Sequence, residues 1–305
     1  MKCLIITTKG LEPCVQKELK SKFDLDSTVQ ETVVLFETKK PITNLQSASR
    51  IIQLLAQFKF KTIEEIKTQV KSLNLKPKSF RIECKRIGAH KFSSQNAKEE
   101  LADLVDSDPN FENPDTIYYC YIYNNTCYFG IDLSKEDISK REYKIFSYGA
   151  QIKGSLAFSL LMFSDYKKTD ILYDPFCKSG VIPIEAALFG GKEIFAYDKN
   201  FIPAQKNAKI AQVDIKFENP RAVDKIITFP PQLSKRKPIK LITKIYNYFF
   251  EETKQILKKN GTITVLVNKK QPITDIAKQH NFKSIQDYPI MIGLEEWYVV
   301  IFVQE

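Results

Sequence analysis

The chain has only six cysteines in 305 residues, at positions 3, 14, 84, 120, 127 and 177, and no two of them form a C-x-x-C pair. Such scattered thiols exclude a disulfide framework and a zinc finger or ribbon, so no metal is expected and the setting is a reducing, cytoplasmic one. No apolar run approaches the roughly 20 residues of a membrane span. The opening MKCLIITTKG is too short in its apolar part and too quickly followed by an amphipathic segment for a signal peptide, and reads as a first strand. No internal repeat and no low-complexity stretch stands out. What the chain has in surplus is positive charge: 46 Lys and Arg against 36 Asp and Glu, a net +10. With 43% hydrophobic and 27% charged residues it is a folded chain, long enough for two or three domains. The surplus suits a polyanionic partner such as RNA, although a generally lysine-rich composition gives the same sum.

Periodicity divides the chain into two halves. Residues 2–8 read as a strand, 11–23 as a helix with apolar residues every three to four, 32–38 as a strand, and 49–58 and 63–73 as helices. Residues 80–86 alternate, as a half-buried strand does. IGAHKFSSQNAKEELADLV then reads as a basic turn running into a helix capped by Ser93 or Ser94. Arg86, His90 and Lys91 can meet phosphates, and Ser93, Ser94 and Gln95 stand where helix N–H groups are free. Strands at 117–122 and 126–133 flank Tyr123-Asn124-Asn125, a hairpin signal. After residue 154, expected helices at 155–164, 202–213, 239–257 and 273–280 alternate with strands at 171–173, 194–197, 226–229, 262–267 and 297–303. That alternation predicts a parallel sheet with helices on both sides.

Residues 170–198 organise the second half. An apolar run ends on Asp174; a turn with Pro175, Ser179 and Gly180 leads into the helix-forming IPIEAAL; Gly190-Gly191 stops it; a second apolar run ends near Asp198. Strand, turn, helix, strand and acid make one βαβ unit. In such sheets ligands sit beyond the carboxyl ends of the strands, and an acid after the second strand commonly meets a ribose hydroxyl, so a nucleoside-type ligand is expected.

The segment DPFCKSGVIPIEAA closely resembles the DPFCGSGT-x-x-IEAA segment of S-adenosylmethionine-dependent RNA methyltransferases that carry a THUMP domain. TTKGLEPCVQKEL is similar to the opening of that family, the stretch around His90 to its THUMP signature, Arg141 and Tyr143 to its L-x-x-R-x-Y segment, and Asn207-Ala208 to its A-x-x-N-A. The resemblance implies an α/β protein: a ferredoxin-like domain (1–58), a THUMP domain (59–134), a linker (135–153) and a Rossmann-like methyltransferase domain with a mostly parallel sheet (154–305). It implies S-adenosylmethionine as cofactor, held by Asp174, Phe176, Lys178, Ser179, Gly180 and Asp198. It also implies tRNA held through its 3′ end, with Arg141 joining the RNA-binding residues named above, and methylation of guanine N2.

Three departures from the family pattern bear on catalysis. Lys178 and Val181 stand where the family has glycine and threonine. The family's N/D-P-P-Y tetrapeptide, whose polar side chain and proline-peptide carbonyl hold the target amine, corresponds to Phe229, Pro230, Pro231 and Gln232. The double proline is kept, but phenylalanine offers no acceptor. Residues 213–224 are short for the further strand and acid found there in relatives, with Asp214 and Glu218 as substitutes. Cys177, at a matched position, reads as a small buried residue and not as a nucleophile. Two functions stay open: a guanine-N2 RNA methyltransferase, or a non-catalytic RNA-binding paralogue with a scaffold, chaperone or regulatory role.

Overall fold

In the computed structural model of the chain, residues 1–42 and 44–305 are described, and they fall into two units, Met1–Thr7 with Leu19–Ile138 and Thr8–Glu18 with Ser139–Glu305. The first unit is built on one eight-stranded sheet. Its strands are β1 (Lys2–Ile6), β2 (Ser27–Gln30), β3 (Val33–Glu37), β4 (Arg50–Lys59), β5 (Ser79–Ile87), β6 (Asp108–Pro109), β7 (Thr116–Tyr123) and β8 (Thr126–Asp132), in the order β2-β3-β1-β4-β8-β7-β5-β6. Of helix α1 (Glu12–Phe23) only the residues from Leu19 onward belong to this unit, whereas α2 (Ile63–Lys71) and α3 (Ser94–Ala102) belong to it whole. Ile66 and Val70 of α2 and Leu101 of α3 bury against Phe80, Ile82, Tyr118 and Phe129 of the sheet. That apolar face is what holds short helices that would be marginal alone.

The expected helix over 49–58 is strand β4. Its Ile51, Ile52, Leu54 and Leu55 satisfy a helical spacing, but the segment hydrogen-bonds on both edges, Cys3–Ile6 of β1 on one side and Thr126–Asp132 of β8 on the other. Two neighbouring ladders outweigh the local preference of a leucine-rich segment. The expected domain boundary after residue 58 therefore falls at the last residue of a strand shared by both halves of one sheet. Strand β2 was not expected from the sequence. The hairpin at Asn124-Asn125 is present, with Asn124 at a positive φ of 50°.

The second unit carries α4 (Gly154–Phe163), β9 (Leu172–Asp174), α5 (Val181–Phe189), β10 (Ile194–Ala196), α6 (Ile202–Ile210), β11 (Val223–Thr228), α7 (Ile239–Ile256), β12 (Leu257–Val267), α8 (Ile273–Gln279), β13 (Phe282–Ile292) and β14 (Glu295–Gln304). The sheet order is β10-β9-β11-β12-β14-β13, with the first four strands parallel and β14 antiparallel to both its neighbours, β12 and β13. The mostly parallel sheet expected from the alternation is present. Strand β13 was not expected; its long exposed stretch and internal Pro289 hide the alternation. β12 starts at Leu257, directly after α7, and not beyond Gly261. The short segment 213–224 contributes one bridge in place of a strand: Ala196 N–H donates to Lys216 O at 2.9 Å and Lys216 N–H to Ile194 O at 2.9 Å. Asp214 and Glu218, on either side of it, are both exposed.

The segment expected as a linker is fastened to the second unit. Arg141 donates from Nε and Nη2 to both carboxylate oxygens of Glu185 at 2.7 and 3.0 Å, and the Tyr143 hydroxyl donates to the same carboxylate at 2.7 Å. Glu185 is fully buried and the Arg141 side chain is only 12% exposed. Arg141 therefore does not face RNA; its charge is consumed in holding residues 139–154 against α5. Asn207 of α6 does the same further along, accepting from Phe146 N at 2.9 Å and donating to Phe146 O at 2.8 Å and Ser179 O at 2.9 Å.

Candidate functional site

The carboxyl ends of β9 and β10 and the turn after β11 meet in the second unit. Asp174, the last residue of β9, is 1% exposed. It accepts from the Thr228 hydroxyl at 2.6 Å and from Phe176 N–H at 3.1 Å. Burial pushes its carboxyl up to about 7, against the pull of those two donors and of Lys178. Asp198 is half-buried and accepts from Lys178 N–H at 3.2 Å and Asn200 N–H at 3.3 Å. The turn between strand and helix places Lys178 at φ 52° and Gly180 at φ 82°. A Cβ on Gly180 would sit 3.0 Å from the Ala204 methyl, so glycine there serves both the left-handed backbone and the close approach of α6. Lys178 takes up the same left-handed conformation with a long side chain.

That side chain lies in the cleft. Lys178 Nζ donates to the backbone carbonyl of Phe229 at 2.8 Å and stands 3.5 Å from the centroid of the Phe229 ring. Burial pushes its ammonium down to about 8, with Lys237 adding repulsion and Asp174 and Asp198 opposing. Phe229 is 6% exposed, and its ring meets Trp297 on β14 at 5.9 Å between centroids. A cavity of about 20 Å³ remains, bordered by Gln151, Ile152, Asp174, Cys177, Lys178, Ser179 and Phe229 among others, with Asp198 outside its lining. Two buried polar atoms there, Ser179 Oγ and Gln151 Oε1, have no hydrogen-bond partner. This space holds about one water molecule.

The tetrapeptide after β11 is equally occupied by internal contacts. The Phe229 carbonyl takes Lys178, the Pro230 carbonyl takes Gln232 Nε2 at 2.6 Å, and the Pro231 carbonyl takes the Tyr246 hydroxyl at 2.7 Å. Gln232 also donates to Leu266 O and accepts from Asn268 N–H, which ties the turn to β12. Phe176 packs on Phe249 of α7 at 5.7 Å between centroids. Cys177 is 4% exposed and its thiol is pushed well up by burial and then by Asp174 and Asp198, so it is no thiolate nucleophile. Thr228, Tyr246, Trp297 and Gln151 were missed in the sequence. Only Thr228, next to the tetrapeptide that carries the double proline, had a local signal.

In the first unit, Lys91 is exposed, while Arg86 and His90 are interlocked. Arg86 Nη1 lies 3.0 Å from His90 Nδ1, His90 Nε2 is 2.6 Å from Asn124 O, and the imidazole stacks on Phe60 at 5.7 Å and meets the tilted ring of Phe92 at 5.3 Å. His90 thus shapes the turn. Ser93 caps α3, its hydroxyl accepting from Asn96 N–H at 3.0 Å while Asn96 Oδ1 accepts from Ser93 N–H. Gln95 reaches along the helix to Glu99. Among the described residues no cluster of His, Cys, Asp and Glu is placed to hold a metal ion, and no helix is long and apolar enough to cross a membrane.

Residues 60–132 match the THUMP domain family, and residues 141–216 match the family described as RMKL-like, methyltransferase domain. Over 94% of its length the chain is 24% identical to the tRNA (guanine(6)-N2)-methyltransferase of Archaeoglobus fulgidus, covering 88% of that protein. It is 27% identical to the enzyme of the same name from Methanocaldococcus jannaschii over 70% of this chain and 73% of that one. Its fold is that of TrmN from Thermus thermophilus, with a TM-score of 0.79 at 18% identity over 100% of this chain and 99% of that one. SMU.472, solved in complex with SAH, is similar at a TM-score of 0.78, 18% identity, and coverage of 100% and 98%.

Proposed function

We propose that this chain, which belongs to the S-adenosylmethionine-dependent methyltransferases that carry a THUMP domain, is a tRNA-binding protein whose methyl-donor cleft is shut by its own side chains. Its THUMP domain, its net charge of +10 and its near full-length likeness to tRNA-modifying relatives support tRNA as the partner; the grip through the 3′ end rests on the family resemblance alone. The observation that carries the closed-cleft reading is the contact of Lys178 with both the carbonyl and the ring of Phe229. A cofactor-sized ligand calls for a pocket of roughly 300 Å³ or more. With the Lys178 side chain in this position the cavity beside Asp174 is about 20 Å³, so S-adenosylmethionine enters only if that side chain moves aside. The residues that would receive the target amine are also partly engaged. Phe229 has no acceptor side chain, and each carbonyl from Phe229 to Pro231 already has one of its two lone pairs engaged by a donor from within the chain, which narrows the approach of a target amine. The protein then acts as an RNA-holding scaffold, chaperone or regulatory partner.

A second reading, methylation of guanine N2, is favoured by the retained Asp174 and Asp198 at adjacent strand ends and by the names of the relatives. Calorimetric titration separates the two. The closed cleft gives no heat with S-adenosylmethionine at millimolar concentration, while unmodified tRNA transcript binds. Micromolar cofactor binding, or the loss of an N2-methylguanine from tRNA nucleosides of a strain lacking the protein, overturns the closed-cleft reading. Absence of tRNA binding overturns the whole proposal.

A further inference from the structure

We infer that the loop and helix face that follow the Phe229–Gln232 turn form a phosphate-binding surface for nucleic acid, separate from the THUMP domain. The inference rests on the tRNA-binding reading and adds to it a contact on the second unit.

From Ser234 to Phe250 the chain carries five cations, Lys235, Arg236, Lys237, Lys240 and Lys244, and no acid, so half of the net charge of +10 lies in this stretch. All five are exposed, and none makes an ion pair with a carboxylate among the described residues. The loop is built, not slack. Ser234 and Lys237 exchange backbone hydrogen bonds at 3.2 and 3.0 Å, which puts Lys235 and Arg236 at the tip of a tight turn. The base of that turn is anchored by Asn268 Nδ2 on Leu233 O and by the packing of Leu233 on the core under α7. Lys237 is near enough to the cleft for its charge to be felt at Lys178. Beyond Pro238, Lys240, Lys244 and Tyr248 recur every fourth residue along α7 and so share one face, where Tyr248 is 64% exposed.

This arrangement is unfavourable for the protein by itself. Five like charges repel, and cations before and within the first turn of a helix oppose its dipole, where an acid would be stabilising; α7 has no acid there. A phosphate backbone reverses the sign of each of these effects, because every contact neutralises a cation and releases a counterion. The exposed Tyr248 ring at the end of the stripe suits an unpaired base, which stacks on an aromatic face without regard to sequence. Charge complementarity thus selects nucleic acid as the occupant.

The test uses the full-length chain and unfractionated tRNA, with affinity measured against salt. In the variant Lys235→Gln/Arg236→Gln/Lys237→Gln, the slope of log K against log salt is expected to fall by about 0.7–0.9 for each lost contact. Affinity near 0.1 M salt is expected to drop about a hundredfold. The variant Lys235→Arg/Lys237→Arg should bind as the parent does. A triple variant that keeps the parent's affinity and slope overturns this inference while tRNA binding stands, and would be the outcome if an acidic protein were the true occupant. A parent chain that does not bind tRNA overturns both readings.

Discussion

Replacing Lys178 by glycine tests the closed cleft most directly. The change removes a charge-assisted hydrogen bond of 2.8 Å to the Phe229 carbonyl, worth about 1.5–3 kcal/mol, and a desolvated cation–ring contact worth about 2 kcal/mol. Two terms run the other way. The ammonium is pushed from its usual 10.5 to about 8, and at about 1.4 kcal/mol per pH unit its burial costs about 3 kcal/mol at neutral pH. A left-handed φ of 52° costs a lysine about 1 kcal/mol that glycine does not incur. The sides nearly cancel, so Lys178→Gly is expected to shift unfolding free energy by less than about 2 kcal/mol. Donor binding should respond far more. Two like charges about 5 Å apart at an effective dielectric near 20 repel by roughly 3 kcal/mol, which is over a hundredfold in affinity. In Lys178→Gly/Phe229→Asn the cleft is emptied and a polar acceptor restored, and S-adenosylmethionine binding should become measurable by calorimetry. A folded double variant that still gives no heat would refute the assignment of closure to these two side chains. A loss of more than about 4 kcal/mol for Lys178→Gly would show that the lysine chiefly supports the fold.

The buried ammonium also sets a pH dependence. Because its folded pKa is depressed to about 8 from 10.5, the unfolded chain holds the proton more firmly, and this group's contribution to stability should rise between about pH 8 and 10.5. Denaturant titrations of Lys178→Met should lack that rise; parallel pH curves for parent and variant would refute it. Glu185→Gln leaves Arg141 buried without its countercharge and is expected to cost about 3–5 kcal/mol, visible as a lowered Tm. A change under 1 kcal/mol would mean that the Arg141–Glu185 pair is effectively solvated. Lys91→Gln, on the exposed turn of the first unit, should weaken tRNA binding and lower its salt slope by about one contact, without changing stability. An unchanged slope would remove Lys91 from the interface.

The architecture was legible wherever pattern and turn chemistry agreed. Asp174, Gly180, Gly190-Gly191 and Asp198 mark the ends of the elements of a βαβ unit by type and spacing alone. The alternation beyond residue 154 predicts a mostly parallel sheet because buried parallel strands and amphipathic helices have different periods. Where two periods fit one segment, as in Ser49–Phe58, the neighbours chose: β1 and β8 supply the ladders that make it a strand. The family resemblance put Arg141 among the RNA-binding residues, and a lone arginine in a linker carries no sign of its partner. That partner, Glu185, is 44 residues away. Lys178 and Phe229 were each legible as departures from a family pattern, yet nothing in the order of residues says that they touch. The ammonium rests on the ring and carbonyl because the turn after β9 and the turn after β11 end at the same edge of the sheet. Chain order therefore determined which groups are present and which local shapes they favour. Folding determined which charges are spent inside the protein and which remain for a partner, because pairing and burial depend on contacts between segments far apart in sequence.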